Sequence, residues 1–153
     1  MYKRQGLGAA GSGTVTVANG TTLDLQGVTV AAKGGSNLNG GTISTTTGTS
    51  SYADAITLGA NSTVDVDGTK LTLSGAIGDG ANTFGLTKTG NNTLVLSGAN
   101  SYGGNTTINA GTVEVTHATG LGAAGSGTVT VANGTTLDPV SYTHLTLPTK
   151  RIV

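Results

Sequence analysis

Residues 86–115 read LTKTGNNTLVLSGANSYGGNTTINAGTVEV, and this stretch decides the fold. Thr93-Leu94-Val95-Leu96 and Thr112-Val113-Glu114-Val115 are short runs rich in β-branched and aliphatic residues. The second alternates polar with apolar residues, the two-residue period of a half-buried strand. Gly90-Asn91-Asn92, Ser97-Gly98 and Asn109-Ala110-Gly111 punctuate the runs. Glycine and asparagine accept the left-handed backbone that sharp corners require. Helical periodicity never lasts beyond a turn or two.

The same grammar extends outward on both sides. Thr14-Val15-Thr16-Val17, Leu23-Asp24-Leu25, Ala55-Ile56-Thr57-Leu58, Thr63-Val64-Asp65-Val66, Lys70-Leu71-Thr72-Leu73 and Thr128-Val129-Thr130-Val131 read as strands. Asn19-Gly20, Asp67-Gly68, Ser74-Gly75 and Asn133-Gly134 read as corners. Alternation turns Val15, Val17, Leu71, Leu73, Val113 and Val115 inward, and Thr14, Thr16, Lys70, Thr72, Thr112 and Glu114 to water. Two all-β architectures accommodate many short strands with tight turns: an antiparallel meander and a parallel β-helix. The recurrence of similar corners favours the parallel β-helix, a solenoid able to stack indefinitely. Crossover chirality makes a right-handed coil the expectation, with Thr and Asn ladders along its faces and corners. Residues 36–79 diverge more from the pattern of residues 86–115 and are likened to it by composition alone.

One repeat is perfect. GLGAAGSGTVTVANGTTLD occupies residues 6–24 and again residues 120–138, 114 positions later. Such identity marks an array and recent duplication, and the expectation is that the long unit returns in register. The β-solenoid region is therefore set at residues 6–138, about one 114-residue unit plus a second copy of its first 19 residues. As an uncapped fragment it is expected to be marginal, with frayed ends.

The ends do not share this grammar. Met1-Tyr2-Lys3-Arg4-Gln5 and residues 139–153 hold four of the seven basic residues and both prolines. Tyr2–Gln5 can be encoded TAT AAG AGA CAG. The reverse complement, CTG TCT CTT ATA, contains in another frame GTC TCT TAT, or Val-Ser-Tyr, as at Val140–Tyr142. Residues 1–5 and 139–153 thus read as inverted copies of a transposase-adapter sequence, with 139–153 expected to be disordered. A leucine codon cut after its first base accounts for Pro139, where the first copy has Leu25. A genuine basic tail, anchoring to membrane or nucleic acid, is the alternative.

Without those ends, Lys33, Lys70 and Lys88 face Asp24, Asp54, Asp65, Asp67, Asp79, Glu114 and Asp138, a net charge of minus four. No basic patch for nucleic acid remains. Charged residues are only 9% of the chain, against about 25% in ordinary soluble domains. Glycine numbers 27 and cysteine is absent, which excludes a disulfide scaffold and a thiolate metal site. It is compatible with passage through an oxidising compartment.

Residues 86–115 resemble the autotransporter-associated β-strand repeat. The positions that carry the resemblance are Leu86, Lys88, Gly90, Leu94, Leu96, Ser97, Gly98, Asn100, Tyr102, Gly104, Thr107, Gly111, Thr112 and Val113. Gly127–Val131 and Gly134–Asp138 resemble the strands that follow in that family. The resemblance implies the passenger of a type V secreted surface protein, a right-handed β-helix exported through an outer-membrane barrel that lies outside this sequence. It implies a structural and adhesive stalk at the cell surface rather than an enzyme. Its partners would be surface glycans or proteins of a host or neighbouring cell, with no cofactor and no small-molecule substrate.

Other readings rest on single features. Asp65-Val66-Asp67-Gly68 is similar to the start of a calcium loop, but the further ligands and distal Glu of such a loop are missing. His117 follows a strand and has no nucleophile motif near it in sequence. Asp24, Asp65, Asp67 and Glu114 offer carboxylate pairs for a carbohydrate-active β-helix enzyme, although any acidic solenoid would. Asn100, Tyr102 and Tyr52 are candidate sugar contacts. Thr-x-Thr at Thr14/Thr16 and Thr128/Thr130 raises an ice-binding solenoid, which would need a flat regular array.

Overall fold

The short alternating strands coil into three sheets, and every pair of named strands is parallel. The computed structural model describes residues 13–140 and 151–153, a β-solenoid of about six turns. One sheet holds β1 (Val15–Ala18), β4 (Ser36–Asn39), β7 (Ile56–Ala60) and β10 (Ile77–Gly78). A seven-stranded sheet holds β2 (Thr22–Asp24), β5 (Thr42–Thr45), β8 (Ser62–Val66), β11 (Leu86–Thr89), β13 (Thr106–Ile108), β15 (Thr128–Val131) and β17 (Arg151–Ile152). A six-stranded sheet holds β3 (Thr29–Val30), β6 (Thr49–Tyr52), β9 (Lys70–Leu73), β12 (Thr93–Leu96), β14 (Thr112–Val115) and β16 (Thr136–Pro139). The chain visits the three sheets in rotation as far as β12, and from β13 on its strands alternate between the two larger ones. One turn takes between 19 residues, from Thr93 to Thr112, and 24, from Thr112 to Thr136.

Stacking in register builds the core. Leu71, Leu94 and Val113 lie directly above one another, as do Leu73, Leu96 and Val115. All six are essentially inaccessible to water. Each contributes about 1.5–3 kcal/mol by leaving water. Corners close because glycine stands where a side chain would collide. Gly90 has φ +74°, and a Cβ there would run into the main chain of Val66 one turn below.

The four-stranded sheet stops at β10, but the stack does not. Ser101 N donates to Ile77 O at 2.8 Å and Ala123 N to Tyr102 O at 3.0 Å. Asn100 completes the join: its Oδ1 accepts Ile77 N at 2.9 Å and its Nδ2 donates to Gly120 O at 2.6 Å. One buried amide thus ties three consecutive turns together.

The long repeat does not return in register. Thr16 lies on β1 in the four-stranded sheet, whereas its copy Thr130 lies on β15 in the seven-stranded sheet. Thr22 lies on β2 in the seven-stranded sheet, and its copy Thr136 on β16 in the six-stranded sheet. The reason is turn length. Climbing the seven-stranded sheet from Thr22 to Thr130 takes five turns and 108 residues. The repeat is 114, and the surplus six is the step from Thr16 on β1 to Thr22 on β2. The copied residues before Gly13 lie outside the described residues, as do 1–5 and 141–150. Of the C-terminal stretch, Pro139 closes β16 opposite Val115, and Arg151 and Ile152 pair with Thr128 and Val129.

Candidate functional site

The repeat motif of residues 86–115 faces mostly inward. Leu86, Leu94, Leu96 and Val113 belong to the apolar core. Lys88 stands in the inward file of the seven-stranded sheet, between Val64 below and Ile108 above, and is 1% exposed. Its Nζ donates to the carbonyl oxygens of Thr89, Gly90 and, at 3.2 Å, Ala110. Those bonds hold the corner after β11 and the corner one turn above it. Burial pushes the Lys88 ammonium down to about 8, against the opposing pull of Asp65 and Asp67.

Tyr102 is fully buried, its hydroxyl paired with Thr106 Oγ1 at 2.7 Å. Burial raises its phenol well above the usual range. Tyr52 repeats the arrangement lower in the coil. Its hydroxyl meets Ser36 Oγ at 2.6 Å, and Ser36 Oγ donates to Asp54 Oδ2 at 2.8 Å. Asp54 Oδ1 also accepts Lys33 N and Gly35 N. Burial raises the Tyr52 phenol, and the Asp54 charge adds to the rise while the Ser36 bond opposes it. Asn100, Tyr102 and Tyr52 are therefore interior struts, and the sugar contact considered for them is sterically closed. Ser97, Gly98, Gly104, Gly111 and Thr112 sit at corners or strand edges, and Thr107 faces outward.

The acidic residues disperse. Asp24 and Asp65 lie two turns apart in one file of the sheet, with the buried Ser44 between them. Burial pushes the Asp24 carboxyl up, but bonds from Thr46 and Gln26 together outweigh it and hold the group below its usual range. Asp65 accepts Thr89 Oγ1 at 2.6 Å. Glu114 is on another sheet, 3.8 Å from Lys70. Asp67 stands at an exposed corner. Among the described residues, no three His, Cys, Asp or Glu side chains gather into a metal-holding group. His117 Nδ1 accepts Thr119 N at 3.2 Å within its own turn.

What does face solvent in an ordered array is the seven-stranded sheet. Thr22, Thr42, Thr63, Thr87, Thr107 and Thr130 stack in one unbroken outward file. Sequence reading expected threonine ladders and singled out Thr-x-Thr pairs, but did not assign the members of this file, because they lie 20 to 24 residues apart. Only the turn length reveals them. Beside the file, at the corner entering the sheet, runs a groove of about 410 Å³. Asn61 and Asn105 border it, with Thr83, Thr87 and Thr107 offering hydroxyls and Gly85, Gly103, Gly104 and Gly127 the floor.

A parallel solenoid whose inward polar residues clamp its own corners is the architecture of a repetitive rod. Residues 86–115 match the model of the passenger-associated-transport-repeat family, a repeat of autotransporter passengers. In an alignment of 104 positions that covers 62% of the chain, it is 42% identical to the adhesin BmaC autotransporter of Brucella suis biovar 1 (strain 1330). The chain spans about 3% of that relative's length. No solved structure matches.

Proposed function

We propose that this chain is a stalk segment of a surface-exposed autotransporter passenger, adhesive and non-catalytic. In the full-length parent it lies outside the cell, held to the outer membrane through a translocator barrel. The observation that carries the reading is the use of Lys88, Asn100 and Tyr102: these buried polar side chains of the repeat are spent on holding the coil together. The relative's designation as an adhesin supports the adhesive part. Its partners are surface glycans or proteins of host or neighbouring cells.

The test fuses residues 1–153 to an outer-membrane barrel and measures adherence of the displaying bacteria to cell monolayers, with the barrel alone as control. Increased adherence is expected, together with no release of reducing ends from polysaccharides. Turnover of any polysaccharide by the displayed chain would overturn the non-catalytic reading in favour of a β-helix enzyme.

A second reading, an ice-binding solenoid, has the six-threonine file in its favour. The neighbouring file, Asp24, the buried Ser44, Asp65 and Thr89, is not a matching row of threonines. Thermal hysteresis above a buffer control would establish that reading.

A further inference from the structure

We propose that the groove beside the threonine file is a binding site for an extended, uncharged polysaccharide chain. The proposal rests on the adhesive reading above and names the surface and ligand class. Asn61, Gly85 and Asn105 occupy one corner on three successive turns. Asn61 Oδ1 accepts Gly85 N at 2.7 Å, and Asn105 Oδ1 accepts Thr128 N at 2.9 Å. Both oxygens are thereby spent on the next turn, which fixes each amide plane. The Nδ2 groups make no hydrogen bond among the described residues, and both side chains are exposed. Two preoriented donors therefore stand at the groove, two turns apart.

The floor is main chain by necessity. A Cβ on Gly85 would collide with Asn105 O, one on Gly104 with Phe84, and one on Gly127 with Gly104 O. The turns stack there with their main chains in close approach, and no side chain projects from these positions into the space between the asparagines. Thr87 and Thr107 supply hydroxyls along one wall and Thr83 adds another. Among the described residues, no charged side chain lines the groove. Asp79, which accepts Phe84 N and Gly103 N, is buried beneath it.

Hydroxyls and amides without charge suit a ligand made of hydroxyls and amides. An acidic glycan would meet no cation among the described lining residues, and an apolar peptide would meet no apolar pocket. Spacing selects further. Turns stack about 4.8 Å apart, so the two amides repeat at about 9.6 Å, a spacing suited to alternate residues of a straight β-1,4-linked chain. Each donor can then meet the same group on alternate sugars.

The test titrates ¹⁵N-labelled chain with a β-1,4-linked N-acetylglucosamine tetramer, an α-1,6-linked glucose tetramer and a heparin tetrasaccharide. The expected result is perturbation of the Asn61 and Asn105 side-chain amides by the β-1,4 tetramer, weakly dependent on salt. The α-1,6 and heparin oligomers should act at least tenfold more weakly. Thr107→Arg should reduce affinity at least tenfold, whereas Thr72→Arg, on the six-stranded sheet, should leave it unchanged. Absence of perturbation at 10 mM tetramer, roughly the weak end of a single-groove interaction, overturns the proposal. So does equal binding of heparin, or binding that survives Thr107→Arg with the fold intact by its amide spectrum. Should the displayed chain still adhere to cells after such a failure, the stalk reading stands and only this groove is removed from it.

Discussion

Lys88 shows how a charge can be structural in a protein with few of them. Lys88→Met would keep the aliphatic volume and leave the carbonyls of Thr89, Gly90 and Ala110 short of a donor. Each buried group left unpaired costs about 1–3 kcal/mol, so a clear fall in unfolding midpoint in denaturant is expected. The pH dependence follows from the same burial. The folded ammonium titrates near 8, so between there and the unfolded lysine value of about 10.5 the unfolded chain binds more protons, and stability rises with pH. Tyr52 and Tyr102 act in the opposite sense. Their folded phenols titrate above the usual value, so once pH passes about 10 the folded chain holds more protons and stability falls. Melting curves should therefore show stability rising from about pH 8 and turning over near pH 10. Lys88→Met should lose the rise and keep the fall. A rise that persists in the variant would show that Lys88 is not its source.

Within a turn, legibility in sequence depended on what fills the inside. β9, β12, β14 and β15 have aliphatic inward residues, and their runs can be read directly with the same or nearly the same bounds. β4, β5 and β6 read SNLN, TIST and TSSY and are indistinct in sequence. Their inward positions include Ser36, Thr45 and Ser50, which pair with one another's turn instead of packing as hydrocarbon. Thr45 Oγ1 meets Ser50 Oγ at 2.7 Å, and Ser36 meets Tyr52. Alternation was present, but its polar–apolar contrast was not. The groove was hidden for a different reason, since its walls come from turns far apart in the chain. Asn100 offers a test at this scale. Asn100→Ala leaves Ile77 N–H and Gly120 C=O unpaired where the four-stranded sheet has ended, at a cost of about 1–3 kcal/mol for each. Hydrogen exchange should accelerate at Ile77, while the amides of Lys70–Leu73, bound within the six-stranded sheet, stay protected. Uniform acceleration over both segments would mean that Asn100 does not act locally.

The molecule as a whole is a short prism, its six turns stacked over roughly 29 Å. Its face assignment can be measured with paired spin labels on Thr16, Thr22 and Thr130. Thr22 and Thr130 share a file five turns apart, so their labels should lie about 24 Å apart along the axis. The Thr16–Thr130 pair should be more distant, although those two positions are the true copies. The reverse order would restore the in-register repeat. The surplus of six residues has a bearing on how such a gene can grow. A chain extended by adding the 114-residue unit would turn each new copy by one side of the prism, and the same side would recur only after three copies, or sixteen turns, about 77 Å on. Duplication would lengthen the rod and also wind its binding edge around the axis like the stripe of a barber's pole. A surface that approached from any direction would then find that edge turned toward it somewhere along the length.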